Sequence, residues 1–182
     1  MSKLYRNILF TAIILAAIAV YAAFFIKKKT TQLSPQAKVE FSEKDFSIKM
    51  VYCQPSKKGR LIFGPAEDKA LQPFGKYWRL GANEATTIET SKDLMIKGQK
   101  LAKGIYSIYA VPGEEVWKIG INAVANRWGA SEPDYTKDIF VVDIPVNATN
   151  ESKEQFTIYI EAGEIVFWWD TTIAVLPYEL AQ

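Results

Sequence analysis

The sequence contains no histidine and one cysteine, Cys53, among its 182 residues. Without histidine the chain has no imidazole base and cannot build a Ser-His or Cys-His nucleophile pair. Zinc sites of the usual kind need several histidine or cysteine ligands. We therefore assign no catalytic residue, no metal ligand and no cofactor. Cys53 lies in the strand-like run KMVYCQP, which favours a small buried thiol over a reactive one.

Clustered positive charge is also scarce beyond the N-terminus. Residues 1–30 carry five basic and no acidic side chains, whereas the rest of the chain carries 17 basic and 20 acidic ones, a net charge of −3. Nucleic acids attract proteins through clustered lysine and arginine that neutralise phosphates. A mildly acidic domain without a basic stripe is a poor candidate for that partner, so nucleic acid is excluded.

The first thirty residues contain the longest uncharged run. From Ile8 to Ile26, nineteen residues pass without a charge, and three lysines follow. As a helix this run would be about 28 Å long, close to the hydrocarbon thickness of a bilayer. We predict a single-pass membrane anchor over residues 1–29 with its core at 8–26. The alternative is a secretory signal cleaved after Ala17-Ile18-Ala19, but the apolar run continues past that point.

The remainder of the chain has the alternation typical of strands. Residues 30–38 are polar and indicate a linker, and residues 39–180 form the predicted domain. In FSIKMVYC every second residue is apolar, and hairpins are predicted at Pro112-Gly113 and around Gly163. The stretch NATNESKEQ indicates a polar loop. Roughly eight short strands predict an all-β antiparallel sandwich of jelly-roll or immunoglobulin-like type, with a small barrel as the alternative.

One polar stretch, WRLGANEATTIE, interrupts this apolar pattern. It contains Arg79, Asn83 and Glu84, and Arg60 lies upstream in KKGRLIFG. An arginine fork matches a carboxylate through two parallel bonds, so the group is expected to form an internal Arg–Glu clasp. The functional alternative is a pocket in which these residues and Trp128 bind an anionic or sugar-like ligand. Substituting Arg79 by alanine distinguishes the two. A large loss of folding stability would indicate the clasp, and normal stability with lost ligand binding would indicate the pocket.

A third possibility is a hydrolase that uses a pair of carboxylates. Glu84 and Glu89 are the nearest candidates in this stretch. They are five positions apart, so on a continuous strand their side chains point to opposite faces. That placement argues against a shared catalytic site.

Six blocks in order carry a resemblance to a known family: QPSKKGRLIFG, PFGKYWRLGANEATTIE, LAKGIYSIYAVPG, EVWKIGIN, WGA and WWDTTIAVLP. They resemble the Bacteroidota family catalogued as domain of unknown function 2911, over about Val39 to Pro177. The resemblance implies an exported, β-rich domain without an established activity, and it transfers no catalytic residues. Charge at the two flanks of the helix does not decide orientation. The resemblance favours a periplasmic domain.

From the sequence we therefore expect a membrane-tethered periplasmic β-sandwich without enzymatic activity. Its expected role is an interaction or accessory subunit of a cell-envelope complex, held at the inner membrane through residues 8–26 with an envelope protein as partner. The alternative is a ligand-binding domain for saccharide or peptide fragments, and a small-molecule ligand is compatible with the polar stretch. Signal cleavage would instead release the domain into the periplasm or the medium.

Overall fold

The computed structural model describes residues 3–181. The chain divides into two compact units, Met1–Leu33 and Ser34–Gln182. The first unit is a helix, and the second is built from strands.

The helix α1 spans Lys3–Leu33. Its segment Asn7–Leu33 contains an 18-residue stretch with a mean hydropathy of 2.6 and no buried residue among those described, and the helix is long and apolar enough to cross a membrane. A secretory signal near an N-terminus can also satisfy these criteria of length and hydropathy. The polar segment 30–38, suggested above as a linker, is divided between the end of α1 and the start of the first strand.

Within residues 3–181 the second unit contains twelve strands and two short 3-10 turns. The turns lie at Ala66–Asp68 and Tyr135–Lys137. The strands are β1 (Gln36–Glu43), β2 (Phe46–Cys53), β3 (Phe63–Gly64), β4 (Gln72–Pro73), β5 (Thr87–Thr90), β6 (Leu94–Ile96), β7 (Gln99–Leu101), β8 (Gly104–Val111), β9 (Val116–Asn122), β10 (Asp138–Glu161), β11 (Glu164–Pro177) and β12 (Glu179–Leu180).

Seven of these strands form one curled antiparallel sheet in the order β1-β2-β5-β8-β9-β10-β11. The prediction of an antiparallel all-β domain is confirmed, as are the β8–β9 hairpin at Pro112-Gly113 and the β10–β11 hairpin at Gly163. Neighbours in this sheet follow chain order. The connectivity is therefore a meander, simpler than the returning connections of jelly rolls and immunoglobulin-like domains.

The polar segment NATNESKEQ is not a loop. It lies inside β10, which pairs with β9 through its first half and with β11 through its second. Register shifts on both sides of Lys153 interrupt the pairing of β10 with β11, as β-bulges do. The Lys153 ammonium lies 4.1 Å from the ring centroid of Trp168, so this tryptophan is covered from within the domain. Its neighbour Trp169 is fully buried.

The two ends of the curled sheet meet across one aromatic core. Ile158 N on β10 donates to the Tyr52 hydroxyl on β2 at 3.0 Å, and the ring of Tyr52 packs edge-on against Phe156. Alternation places the apolar residues of both halves on the inner face, as the period-2 pattern of β2 predicts. The largest side chains without solvent exposure are Trp117, Trp169, Phe156 and Phe167. Burying each of them contributes roughly 1.5–3 kcal/mol to stability.

Candidate functional site

Residues 77–86, which we call the corner, have an unusual backbone. Leu80 has a φ of 50°, Gly81 of 149° and Asn83 of 59°. Glycine adopts positive φ freely and asparagine tolerates it, but for leucine it costs about 1–2 kcal/mol. Three such residues within four positions mean that surrounding contacts hold the corner in place.

Two buried hydrogen bonds supply that support. Trp78 Nε1 donates to the Gly81 carbonyl at 3.1 Å, and the Thr86 hydroxyl donates to the Leu80 carbonyl at 2.6 Å. A Cβ atom on Gly81 would lie 2.8 Å from the Cys53 carbonyl oxygen, so only glycine allows this approach to the end of β2. The corner is thus fixed to the core on one side and to β2 on the other.

Two fully buried hydroxyls test this view of the corner. We expect Thr86→Val to lower the free energy of unfolding by about 1–3 kcal/mol, because the Leu80 carbonyl loses its donor. Ser107→Ala is the matched control, since Ser107 Oγ has no hydrogen-bond partner among the described residues. Its removal should leave stability unchanged or raise it. Urea unfolding followed by circular dichroism measures both, and equal losses would contradict the assignment.

Residues 123–131, which we call the outer loop, pair with the corner. Ala85 N donates to the Arg127 carbonyl at 3.1 Å, and Gly129 N donates to the Asn83 carbonyl at 3.0 Å. The Tyr77 hydroxyl donates to the Gly129 carbonyl at 3.1 Å. Backbone bonds in both directions make the two segments one polar surface.

Two arginines lie in this surface, both half-buried. Arg79 Nη1 donates to the Asn83 carbonyl at 3.2 Å. Arg127 Nη1 donates to the Ser131 carbonyl at 2.7 Å and its Nη2 to the Tyr77 hydroxyl at 2.6 Å, with the guanidinium 5.5 Å from the Tyr77 ring centroid. Burial lowers the pKa of Arg79, and the positive charge of Arg127 lowers it further. The two cations are therefore close enough to repel each other.

The acceptors of these two guanidiniums are electrically neutral. All ion pairs among the described residues use lysine side chains, as in Lys49–Glu89 and Lys57–Asp170. The corner and the outer loop together contain Arg79, Arg127 and one acidic residue, Glu84. This surface consequently carries a net positive charge.

The expected Arg–Glu clasp involves Arg79, Arg60 and Glu84, and the structure shows backbone hydrogen bonds for both arginines. Arg79 is bonded to a backbone carbonyl within the corner. Arg60 lies on another turn, exposed, where its Nε donates to the Lys57 carbonyl at 3.0 Å and its Nη2 to the Ser56 carbonyl at 2.6 Å. The physical reason is local: each guanidinium closes a tight turn by bonding carbonyls four or fewer residues away.

Four of the five predicted site residues do come together. Asn83 and Arg79 are bonded within the corner, and Glu84 faces Trp128 through an isolated β-bridge. Arg60 is not part of this group. Sequence reasoning missed Arg127, whose signal is its position directly before the WGA block.

A cleft of about 300 Å³ opens beside this surface. Its floor is the outer face of the large sheet, and one wall is the outer loop. The lining residues are Gln36, Val51, Tyr52, Cys53, Glu84, Ala85, Thr87, Ile105, Ala125, Asn126 and Arg127. Pockets for small ligands have volumes of about 300–1,000 Å³ and combine apolar walls with a few polar groups. The cleft has this character at the small end of the range.

Cys53 is the residue of the cleft with the most reactive side-chain type, yet it is inert. It is 2% exposed, and its Sγ lies 3.9 Å from Glu84 Oε2. Burial raises the pKa of the thiol, so the nucleophilic thiolate is disfavoured. The sequence-based prediction of a buried thiol is confirmed.

The carboxylates are not arranged for hydrolysis or metal binding. Glu89 is bound by Lys49 of the neighbouring strand at 2.7 Å and does not line the cleft that contains Glu84. Among residues 3–181 no group of three histidine, cysteine, aspartate or glutamate side chains has the geometry to hold a metal ion.

The fold and the cleft define an antiparallel β-domain with a candidate ligand site, preceded by one apolar helix. Comparison with known families gives a match for residues 34–178 to the family described as "Protein of unknown function (DUF2911)". The chain belongs to this family, as the six sequence blocks indicate. Neither the curated proteins nor the solved structures that were compared include a match.

Proposed function

We propose that this protein is a membrane-tethered binding domain without enzymatic activity, and that its cleft binds an anionic ligand. In this proposal residues 1–29 are the anchor, with its core at 8–26, and residues 39–180 are a periplasmic domain at the inner membrane. The domain acts as an accessory subunit of an envelope complex by presenting its ligand there. The ligand comes from the saccharide or peptide fragments considered above.

The observation that carries this proposal is the pair of half-buried guanidiniums, Arg79 and Arg127, with neutral acceptors. Removing a cation from water is costly unless an opposite charge compensates it. Carboxylates and phosphates match the planar fork of arginine with two parallel bonds. Because Arg127 lines the cleft, an anion bound there could form these two parallel bonds with its guanidinium. The negative charge would also reduce the repulsion between Arg79 and Arg127.

Tethering supports a binding role for a small cleft. A domain confined near a membrane meets other confined molecules at a high effective concentration, so moderate affinity is sufficient. The helix α1 has the length and hydropathy for this role. A mature protein whose mass places its N-terminus near Val20 would show a cleaved signal and exclude the tether while leaving the cleft intact.

Pairs of ligands of similar size, one with a carboxylate and one neutral, test the proposed site. We expect D-glucuronate or acetyl-alanyl-valine to raise the melting temperature of the full-length protein in mild detergent, and D-glucose or acetyl-alanyl-valinamide to have a much smaller effect. Arg127→Lys keeps the charge but loses the fork, so affinity for the charged probes should fall about tenfold, roughly 1.4 kcal/mol.

Arg60→Gln is the matched control, because Arg60 is an exposed arginine outside the cleft. It should bind every probe as the parent protein does. Equal binding of charged and neutral probes, or unchanged affinity in Arg127→Lys, would refute the anion site. Differential scanning fluorimetry followed by calorimetry gives both quantities.

A further inference from the structure

The floor of the cleft is largely apolar. Val51 and Thr87 are direct partners on β2 and β5, and Ile105 on the adjacent β8 is 54% exposed. Ala85 and Ala125 add two small methyl groups at the walls. Exposed aliphatic groups gain free energy when a ligand covers them, at about 25 cal/mol for each Å² removed from water. The shape favours a side chain of a few carbons over a large ring.

The rim of the cleft is rich in groups that recognise a peptide. Arg127 uses two of its five N–H groups in bonds to Ser131 and Tyr77, which leaves three, one of them the buried Nε–H. Gln36 and Asn126 contribute amide side chains to the same lining. A peptide terminus offers a carboxylate to the guanidinium and amide groups to these two side chains.

The aromatic content of the cleft argues against saccharides. Sugars present C–H faces that stack on exposed aromatic rings, which have a negative face. Tyr52 is the single aromatic residue of the lining, and it is 4% exposed with its ring packed against Phe156. Trp128, at 47% exposed, is outside the lining. The cleft therefore lacks a stacking platform.

The backbone of the floor cannot bind a peptide by adding it to the sheet as a further strand. Strand β5 is hydrogen-bonded to β2 on one side and to β8 on the other, so its edges cannot accept a further strand. Strand addition at β5 is therefore excluded, and the guanidinium in the lining matches the alternative mode in which a site captures a terminal carboxylate. A volume of about 300 Å³ admits one or two residues.

We infer that the cleft binds the carboxyl-terminal end of a peptide whose last residue has a small aliphatic side chain. The terminal carboxylate is held by Arg127, and the side chain covers Val51 and Ile105. This inference rests on the proposed anion-binding function and selects the peptide class within it.

A peptide series tests the inference on the full-length protein in mild detergent. We expect acetyl-alanyl-valine to bind at least about tenfold more tightly than acetyl-alanyl-valinamide and than acetyl-alanyl-tryptophan, a difference of roughly 1.4 kcal/mol in each case. Ile105→Gln should weaken binding of acetyl-alanyl-valine about fivefold or more and leave D-glucuronate binding unchanged. Calorimetry or fluorescence anisotropy of a labelled peptide measures these affinities.

Ile139→Gln is the matched control, because Ile139 is 45% exposed and lies outside the cleft. It should bind as the parent protein does. If D-glucuronate binds through Arg127 but the peptides do not, the inference is refuted and the proposed function stands. If no charged probe binds, both are refuted. A tryptophan-ended peptide that binds as well as the valine-ended one, or an Ile105→Gln variant without effect, would also overturn the inference.

Discussion

Replacing Gly120 by alanine is expected to lower the free energy of unfolding of the β-domain by about 3 kcal/mol, at the upper end for overpacked cores. Gly120 on β9 is the direct partner of Tyr109 on β8, and the Tyr109 ring lies across it. A methyl group on Gly120 would overlap this ring. Because sheet backbones and buried rings both resist displacement, the cost is large.

The Tyr109 ring is held from three sides, which is why it cannot move away. Its hydroxyl donates to Asp138 Oδ2 at 2.6 Å, and its ring packs between Tyr77 and Tyr135 at centroid distances of 5.7 and 5.8 Å. The residue is 2% exposed. Any rotation of the ring would break a charge-assisted hydrogen bond and open a cavity.

A double-mutant cycle isolates this overlap from general effects of the substitution. Tyr109→Ala removes the ring, so Gly120→Ala should cost little stability in that background. The double variant should therefore lose less free energy of unfolding than the sum of the losses in the two single variants. Denaturant unfolding of the parent, the two single variants and the double variant supplies the cycle. A cost of Gly120→Ala that is the same with and without the ring would show that the overlap is not its cause.

Much of the fold could be predicted because its strands have one buried face. Alternation in FSIKMVYC corresponds to buried Phe46, Ile48, Met50 and Tyr52, and glycine or proline marked the hairpins. The polar part of β10 could not be predicted in this way. Both faces of residues 147–152 are largely solvent-exposed, so no alternation remains, and pairing with β11 is made at Asn147, Ala148 and Lys153.

The candidate site was predictable only in part, for reasons of sequence separation. The corner is a contiguous stretch, and its cluster of polar residues stands out against apolar neighbours. Arg127 is more than forty positions away and is joined to the corner by one backbone hydrogen bond from Ala85, which no periodic pattern encodes. Arg79 and Arg60 bond to backbone carbonyls within four positions of themselves. The polar character of the sequence therefore predicted which corner residues cluster, but it did not predict the hydrogen-bond partners of the arginines.

Trp78→Ala is expected to lower the free energy of unfolding by about 3–5 kcal/mol, as for other large buried aromatics. Trp78 is 2% exposed and packs against Trp117, Phe156 and Trp169 at centroid distances of 5.6, 4.9 and 5.8 Å. The alanine variant would open a cavity at the centre of the core. Urea unfolding followed by far-ultraviolet circular dichroism measures the loss without relying on tryptophan fluorescence.

Two further variants separate the role of Trp78 in the core from its role at the corner. Trp78→Phe retains most of the packing but removes the bond from Nε1 to the Gly81 carbonyl, so the corner loses one of its two buried supports. We expect an intermediate loss of stability together with weaker binding of charged probes, because the corner and Arg127 are joined by backbone bonds. Trp128→Phe, at a tryptophan that is 47% exposed, should change stability by no more than about 0.5 kcal/mol. A Trp78→Phe variant with lowered stability but full probe affinity would show that the cleft does not depend on the geometry of the corner.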